Sequence, residues 1–196
     1  EAMPDGPAWY REQIRKYTTL DLSPDEIHAI GLKEVATIRA EMDAIIDRFG
    51  FKGHSPGVAS SEQRFADFLA FLRRDPQFYA KTPQDLLDRA AWVSKRVDGE
   101  VGKIIGTLPR GRFAIVPVPA DIAPFWTAGR GGADTYWLNT YNLPSRPLYN
   151  LPALTLHESA PGHSLQQSLV REQGDVPDFR KDYISAYGEG WGLYSE

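Results

Sequence analysis

The 196-residue chain contains no cysteine. This absence excludes disulfide bonds, iron–sulfur clusters, cysteine-ligated zinc and a cysteine nucleophile. The chain also lacks an apolar run approaching the ~18–20 residues that a membrane-spanning helix needs. It has no excess of basic charge, because 22 Lys and Arg stand against 26 Asp and Glu, for a net charge of −4. The composition therefore does not indicate a nucleic-acid or anionic-membrane partner.

What the chain does contain is enough apolar surface for a real core, with 42% hydrophobic and 12% aromatic residues. The length suits one domain, or one domain and part of another. The sequence begins without an initiator Met and ends inside helical texture, so we expect it to be a segment of a longer protein. Its compartment, bacterial cytoplasm or periplasm, and its oligomeric state stay open.

Residues 1–107 are predicted to form a helical scaffold. Ser23, Pro24 and Glu26 form a capping-box start, and apolar residues such as Ile30, Val35 and Ile46 then recur at helical spacing. Short links favour antiparallel packing of the long helices. The expected helices run from Ala8 to about Thr18, from Pro24 to Gly50, onward from Ser60, and from Thr82 to about Ile105.

Residues 108–196 are predicted to form a strand-plus-helix region, continuous with the first part as one domain. Residues 112–119 are short, β-branched and ended by prolines, which indicates an edge strand. Residues 129–133 are glycine-rich and predict a tight turn, and residues 134–140 a second strand. Helical texture resumes at about Tyr149 and continues to the end. The expected fold class is mainly α with a small β element.

Two of the four histidines lie within seven residues, in the stretch His157-Glu-Ser-Ala-Pro-Gly-His163. Two imidazoles beside a carboxylate are typical of zinc hydrolases, in which the carboxylate, here Glu158, acts as general base. The usual four-residue spacing places the rings about 40° apart on a helix, but six residues correspond to about 240°. Pro161 and Gly162 can interrupt the helix and return His163 to the same face. His28 and His54 are expected to lie outside this site, on the surface or in a loop.

A third protein ligand is expected from the last helix, where two carboxylates are seven residues apart. Glu189 and Glu196 lie about 20° apart on one helix face, so either can point at the histidines. Glu189 is favoured because Gly188 and Gly190 flank it and permit close approach to another helix. Glu196 is the alternative ligand, or a hydrogen-bond partner of a ligand histidine.

HESAPGH followed by YGEGWGLYSE resembles the bacterial "domain of unknown function 885" family, and the likeness is most specific over residues 129–196. That family is similar in plan to the thimet-oligopeptidase and angiotensin-converting-enzyme groups of zinc metallopeptidases, the gluzincins. The resemblance implies a helical fold with a small sheet at a cleft edge, zinc held by His157, His163 and Glu189, and Glu158 as general base. It also implies that the 134–139 strand is an edge that pairs with an extended peptide, with Tyr136, Trp137, Asn139 and Arg146 as candidate substrate contacts.

We therefore predict a zinc-dependent hydrolase, specifically a metallopeptidase acting on a peptide substrate. The peptide assignment depends on the resemblance, because the motif itself indicates only water activation. A zinc hydrolase of another amide or ester is one alternative. A helical interaction or scaffold domain without activity is the other, and it predicts no bound metal.

Overall fold

The computed structural model describes residues 3–52 and 60–196, and the chain divides into two compact units, Glu1–Asp75 and Pro76–Glu196. The described residues are mainly α-helical with one three-stranded sheet, which confirms the predicted fold class. The fourth helix, which the sequence analysis grouped with the helices before it, belongs to the second unit. His54 lies outside the described residues, and His28 is an exposed residue of the second helix.

The first unit contains helices α1 (Gly6–Thr18), α2 (Pro24–Phe49) and α3 (Ser61–Arg74). The predicted capping box is confirmed, because the Ser23 hydroxyl accepts from the Glu26 amide at 3.2 Å and the Glu26 carboxylate accepts from the Ser23 amide at 2.8 Å. Gly50 ends α2 in the left-handed conformation, with φ of 73°. These boundaries follow local chemistry, which is why the sequence predicts them.

The core of the first unit is small and aromatic. Ile46 of α2 is fully buried, and Phe68 of α3 packs edge-to-face against Phe49 with ring centroids 5.8 Å apart. In contrast, Ile30 is 51% exposed and Val35 is 66% exposed, although both belong to the predicted apolar stripe of α2. Ile46, near the C-terminal end of α2, is therefore the one buried residue of this stripe.

The second unit contains four helices: α4 (Pro83–Asp98), α5 (Leu151–Glu158), α6 (His163–Glu172) and α7 (Ser185–Ser195). Thr82 caps α4 as predicted, through its hydroxyl and the Asp85 amide at 3.0 Å. The helix ends before Gly99, earlier than the predicted end near Ile105, and a short 3₁₀ turn follows. Helix resumes at Leu151, close to the predicted Tyr149, and is divided by residues 159–162, where the break is predicted, and by residues 173–184, where no break is predicted.

The sheet of the second unit has the strand order β1-β3-β2, formed by Ala114–Pro117 (β1), Gly129–Gly131 (β2) and Thr135–Leu138 (β3). β1 is an edge strand, as predicted, and pairs parallel to β3. The prediction of a tight turn over residues 129–133 is wrong for residues 129–131, which form β2 and pair antiparallel to β3; the turn is confined to residues 132–134, where the Gly132 amide donates to the Thr135 carbonyl at 2.8 Å. The prediction that the 134–139 strand is an edge is also wrong, because β3 is central and has a partner on each side.

Alternation along β3 determines which face of the sheet meets the helices. Tyr136 and Leu138 are buried and join a core cluster with residues of α4 and α5, including Leu86 and Leu151. Trp137 points to the opposite face because neighbouring side chains of a strand alternate. The face that carries Tyr136 therefore fixes the sheet against α4 and α5, beside the histidine motif.

Candidate metal centre

The two predicted histidine ligands flank a break between α5 and α6. His157 lies in the last turn of α5, and His163 is the first residue of α6. Between them the Ala160–Pro161 peptide bond is cis, and the Gly162 amide donates to the Leu156 carbonyl at 3.0 Å. A Cβ at Gly162 would overlap the carbonyl oxygen of His157, so the close return of the chain requires glycine here. The predicted interruption of the helix by Pro161 and Gly162 is confirmed.

The break brings both imidazole rings to one place, where they meet Glu189 of α7. Oε2 of Glu189 lies 3.5 Å from Nε2 of His157 and 3.6 Å from Nε2 of His163. The two rings are perpendicular, with centroids 4.8 Å apart. One potential ligand atom from each of the three residues lies within 4.8 Å of the other two. Glu189, His157 and His163 therefore form one cluster of donors.

Glu196, the second carboxylate considered as a ligand, contacts the other side of His157. Its Oε1 lies 2.9 Å from Nδ1 of His157. A carboxylate at this position favours the proton on Nδ1, which leaves the lone pair of Nε2 directed at the cluster. α7 approaches the ring closely at Gly192, where a Cβ would lie 2.7 Å from Nε2 of His157. Glu196 is thus a hydrogen-bond partner of His157, and Glu189 faces the cluster itself.

Glu158, the predicted general base, is held between the helix break and the sheet. Its side chain accepts a hydrogen bond through Oε2 from the amide of Gly131 in β2. A Cβ at Gly131 would overlap the carbonyl oxygen of Glu158 and lie 2.8 Å from Cβ of His163. Ser164 of α6 donates to that same carbonyl oxygen at 3.0 Å. The glycine of β2 therefore lets the strand contact the break and orient the Glu158 carboxylate.

The other oxygen of the Glu189 carboxylate has its own partner. Tyr183, in the segment before α7, donates its hydroxyl to Oε1 of Glu189 at 2.6 Å. This hydrogen bond and, after it, the two nearby histidines lower the pKa of Glu189, although partial burial acts in the opposite direction. Burial and the neighbouring carboxylate raise the pKa of Tyr183, so its hydroxyl stays a donor at neutral pH. Glu189 is consequently anionic, with Oε1 held by Tyr183 and Oε2 facing the two histidines.

A cleft of about 1060 Å³ opens beside the cluster, and Glu189 is part of its wall. β2 and β3 contribute one side, including Arg130 and Trp137, and the segment before α7 contributes Tyr183 on another. Trp137 stacks on Trp126 with ring centroids 6.4 Å apart. The cleft is large enough for several residues of an extended peptide or for a small molecule, because ligand pockets usually enclose about 300–1,000 Å³.

The four predicted substrate contacts lie in different environments. Trp137 lines the cleft. Tyr136 and Asn139 are fully buried, and the Asn139 amide donates to the carbonyls of Ala123 and Thr127 at 2.8 and 3.0 Å. Arg146 donates through Nε to the carbonyl of Asn139 at 3.2 Å. Tyr136 and Asn139 are therefore enclosed by the fold, which corrects the expectation that they face a substrate.

The glycines that let the chain segments come close are predicted only in part. Of the two that flank Glu189, Gly188 makes a close contact, but a Cβ at Gly190 would meet nothing within 4 Å. The close contacts are at Gly188, where a Cβ would overlap the Tyr183 ring, and at Gly192 beside His157. The glycine spacing on α7 is a visible signal, yet only the neighbouring segments show which glycine matters. Tyr183 was missed because it lies in a segment that was predicted to be helical.

The donor set fits a zinc ion. Imidazole nitrogen and carboxylate oxygen are common zinc ligands, and two histidines with one glutamate leave a fourth position open for water or substrate. Atoms bonded to a tetrahedral zinc at about 2.0–2.1 Å are separated by about 3.4 Å. The separations of 3.5 and 3.6 Å from Glu189 to the two histidines agree with that value. The hydrogen bond from His157 to Glu196 also matches the outer contacts that ligand histidines usually make.

Fold and side chains together define a mainly α protein with a candidate His–His–Glu metal centre. The chain belongs to the family described as "Bacterial protein of unknown function (DUF885)", whose model matches residues 1–196. Among solved structures, it is similar to "the putative lipoprotein from Colwellia psychrerythraea", with 28% sequence identity and a TM-score of 0.86. The match covers 99% of this chain and 34% of that protein, so the chain spans about a third of that protein's length.

A comparison with curated proteins finds no match. Within residues 3–52 and 60–196, none of the helices combines the length and the apolar character that crossing a bilayer requires. This agrees with the absence of a long apolar run in the sequence.

Proposed function

We propose that this chain carries the catalytic centre of a zinc-dependent hydrolase, and specifically of a metallopeptidase. The observation that carries the proposal is the convergence of three donors on one point, with Glu189 Oε2 at 3.5 and 3.6 Å from the two Nε2 atoms. Glu158 follows His157 directly in sequence and is only 9% exposed. A largely buried carboxylate that directly follows one of the clustered histidines supports proton-transfer chemistry rather than a purely structural metal site.

Different residues would bind the metal ion and transfer the proton. His157, His163 and Glu189 would hold the ion, and Glu196 would keep the Nδ1 proton on His157. A bound zinc ion supplies a Lewis acid, which polarises a carbonyl and lowers the pKa of water to about 7. Glu158 accepts a proton from the attacking water and later donates it to the leaving amine, so its protonation state is restored. The Gly131 amide holds one carboxylate oxygen and leaves the other oxygen for this transfer.

The cleft and the sheet support a peptide as the substrate class. β2 lines the cleft, and its outer edge pairs with no other strand of the described residues. The Gly131 amide is already bonded to Glu158, so an added peptide would use the other backbone groups of this edge. An unpaired strand edge offers backbone groups to which an extended peptide can add. This assigns to β2 the role that the sequence analysis gave to the 134–139 strand. The resemblance of the motifs to zinc metallopeptidases points to the same class.

The metal is the first part to test. Purified protein should contain about one zinc per chain by plasma mass spectrometry, either as isolated or after reconstitution with zinc. His157→Ala and His163→Ala should each lose it, because two remaining donors bind zinc weakly. His28→Ala is the matched control, since His28 is exposed on α2 and lies in the other unit. Wild-type protein that binds no zinc after reconstitution would refute the proposal.

The reaction is tested separately with Glu158→Gln. This variant should keep its zinc, because Glu158 is not one of the three clustered donors, but its hydrolytic rate should fall by about 10²–10⁴-fold without the general base. A peptide library is compared with small amide and ester substrates. Turnover of only the small substrates would replace the peptidase assignment with a different hydrolase. Zinc binding without turnover of either class would leave the alternative of an inactive domain.

A further inference from the structure

We infer that Tyr183 is a positioning residue for the metal centre, which fixes Glu189 so that only one carboxylate oxygen faces the two histidines. The inference rests on the proposed function, because it assumes that the cluster binds a metal ion. It assigns a role to a side chain that is neither a ligand nor the general base.

The two oxygens of the Glu189 carboxylate face different side chains. Tyr183 donates to Oε1 of Glu189 at 2.6 Å, whereas Oε2 faces Nε2 of both His157 and His163. A carboxylate on a helix surface otherwise rotates freely about its last bond, and the Glu189 side chain is 56% exposed. The charge-assisted hydrogen bond selects one orientation before an ion arrives. The ion then meets a preformed set of donors, which lowers the entropy cost of binding.

The absence of a side chain at position 188 also permits this contact. Gly188 directly precedes Glu189 and is buried, and a Cβ there would overlap the Cε2, Cζ and hydroxyl atoms of Tyr183. Any larger residue at position 188 would push the ring away from the carboxylate. A glycine in a helix interior is less favourable for the helix than alanine. Glycine at position 188 thus lowers the stability of α7 but permits the contact between Tyr183 and Glu189.

The contact also connects α7 to the segment that precedes it. Tyr183 and Glu189 are six residues apart, and the helix begins between them at Ser185. The hydrogen bond therefore links a residue outside the helix to one inside its first two turns. Because Tyr183 also lines the cleft, the same side chain forms part of the cleft wall and holds a ligand of the metal.

The test measures zinc affinity by competition with a chromophoric chelator. Tyr183→Phe should weaken zinc binding by about 10–100-fold, the usual effect of losing a hydrogen bond to a metal ligand. Gly188→Ala should give a similar loss although it keeps the hydroxyl, because the added methyl group displaces the ring. Tyr187→Phe is the control. Tyr187 lines the same cleft, is 65% exposed and makes no side-chain hydrogen bond to the described residues.

A double-mutant cycle separates positioning from general loss of structure. Glu189→Ala keeps only the two histidines, so its weak residual zinc affinity is measured by direct titration at higher zinc concentrations; Tyr183→Phe should not change this residual affinity, because its partner is already absent. An equal loss in both backgrounds would overturn the inference, and so would unchanged affinity in Tyr183→Phe itself. If wild-type protein binds zinc and Tyr183→Phe binds it equally well, only the inference fails. If wild-type protein binds none, both the inference and the proposed function fail.

Discussion

α7 approaches His157 closely at Gly192, and replacing this residue with alanine tests the geometry of the candidate metal centre. A Cβ at position 192 would lie 2.7 Å from Nε2 and Cε1 of His157. Ordinary contacts of a Cβ atom begin near 3.4 Å, so the ring has to move by about 0.7 Å. Metal–ligand distances tolerate only about 0.2 Å. We therefore expect Gly192→Ala to weaken zinc binding by at least about 10-fold.

The matched control is Gly190→Ala, two residues away on the same helix, where a Cβ would meet nothing within 4 Å. Alanine favours a helix over glycine by about 1 kcal/mol, so Gly190→Ala should raise the melting temperature by about 2–4 °C and leave zinc affinity unchanged. Calorimetry of the metal-free proteins and chelator competition give the two readouts. Wild-type zinc affinity in Gly192→Ala would show that α7 does not approach His157 as described.

Three further predictions concern other contacts. Glu196→Ala should weaken zinc binding by about 10–100-fold, because His157 loses the partner of its Nδ1 atom; wild-type affinity would contradict this role. Asn139→Ala should lower the free energy of unfolding by about 2–3 kcal/mol in denaturant titrations, since it removes hydrogen bonds to the buried carbonyls around residues 123–127. Hydrogen bonds from Ser23 lower the pKa of Glu26 below 4.5, so the capping box stabilises the fold above pH 4.5 and loses this effect as the pH falls through the folded-state pKa. Glu26→Gln should therefore show a weaker loss of stability on acidification from pH 5 to pH 3, and an unchanged acid profile would count against the capping box.

Local chemistry explains which parts of the fold the sequence predicts. Ser23 and Thr82 cap their helices through contacts within three residues, and Gly50 ends α2 through its own backbone conformation. Such signals need no knowledge of the rest of the chain. The break at Pro161 and Gly162 belongs to the same group, because proline removes an amide that a helix needs. These features were all predicted.

Features that depend on distant partners were not predicted correctly. Residues 129–131 have the composition of a turn, and they form a strand because β3 pairs with them and because Gly131 contacts Glu158. The sequence places Glu189 and Glu196 on one helix face and favours Glu189, with Glu196 as the alternative; in the structure Glu189 faces the cluster and Glu196 contacts Nδ1 of His157. Helix geometry alone does not separate the two, because the side of His157 on which the helix passes is a property of tertiary packing. Tyr183 was missed for the same reason.

The hydrogen bond from Trp191 to the helix break has a practical consequence for spectroscopy. Its indole Nε1 donates to the carbonyl of Pro161 at 2.7 Å, between the two histidines in sequence. Indole emission responds to its hydrogen bonding and to nearby charge, so loading the cluster with a divalent ion should change the fluorescence of Trp191. Trp126 and Trp137, stacked in the cleft, should respond instead to an occupant of the cleft. Because the chain contains five tryptophans, variants that keep only Trp191 or only Trp137 would report separately on the candidate metal centre and on the cleft.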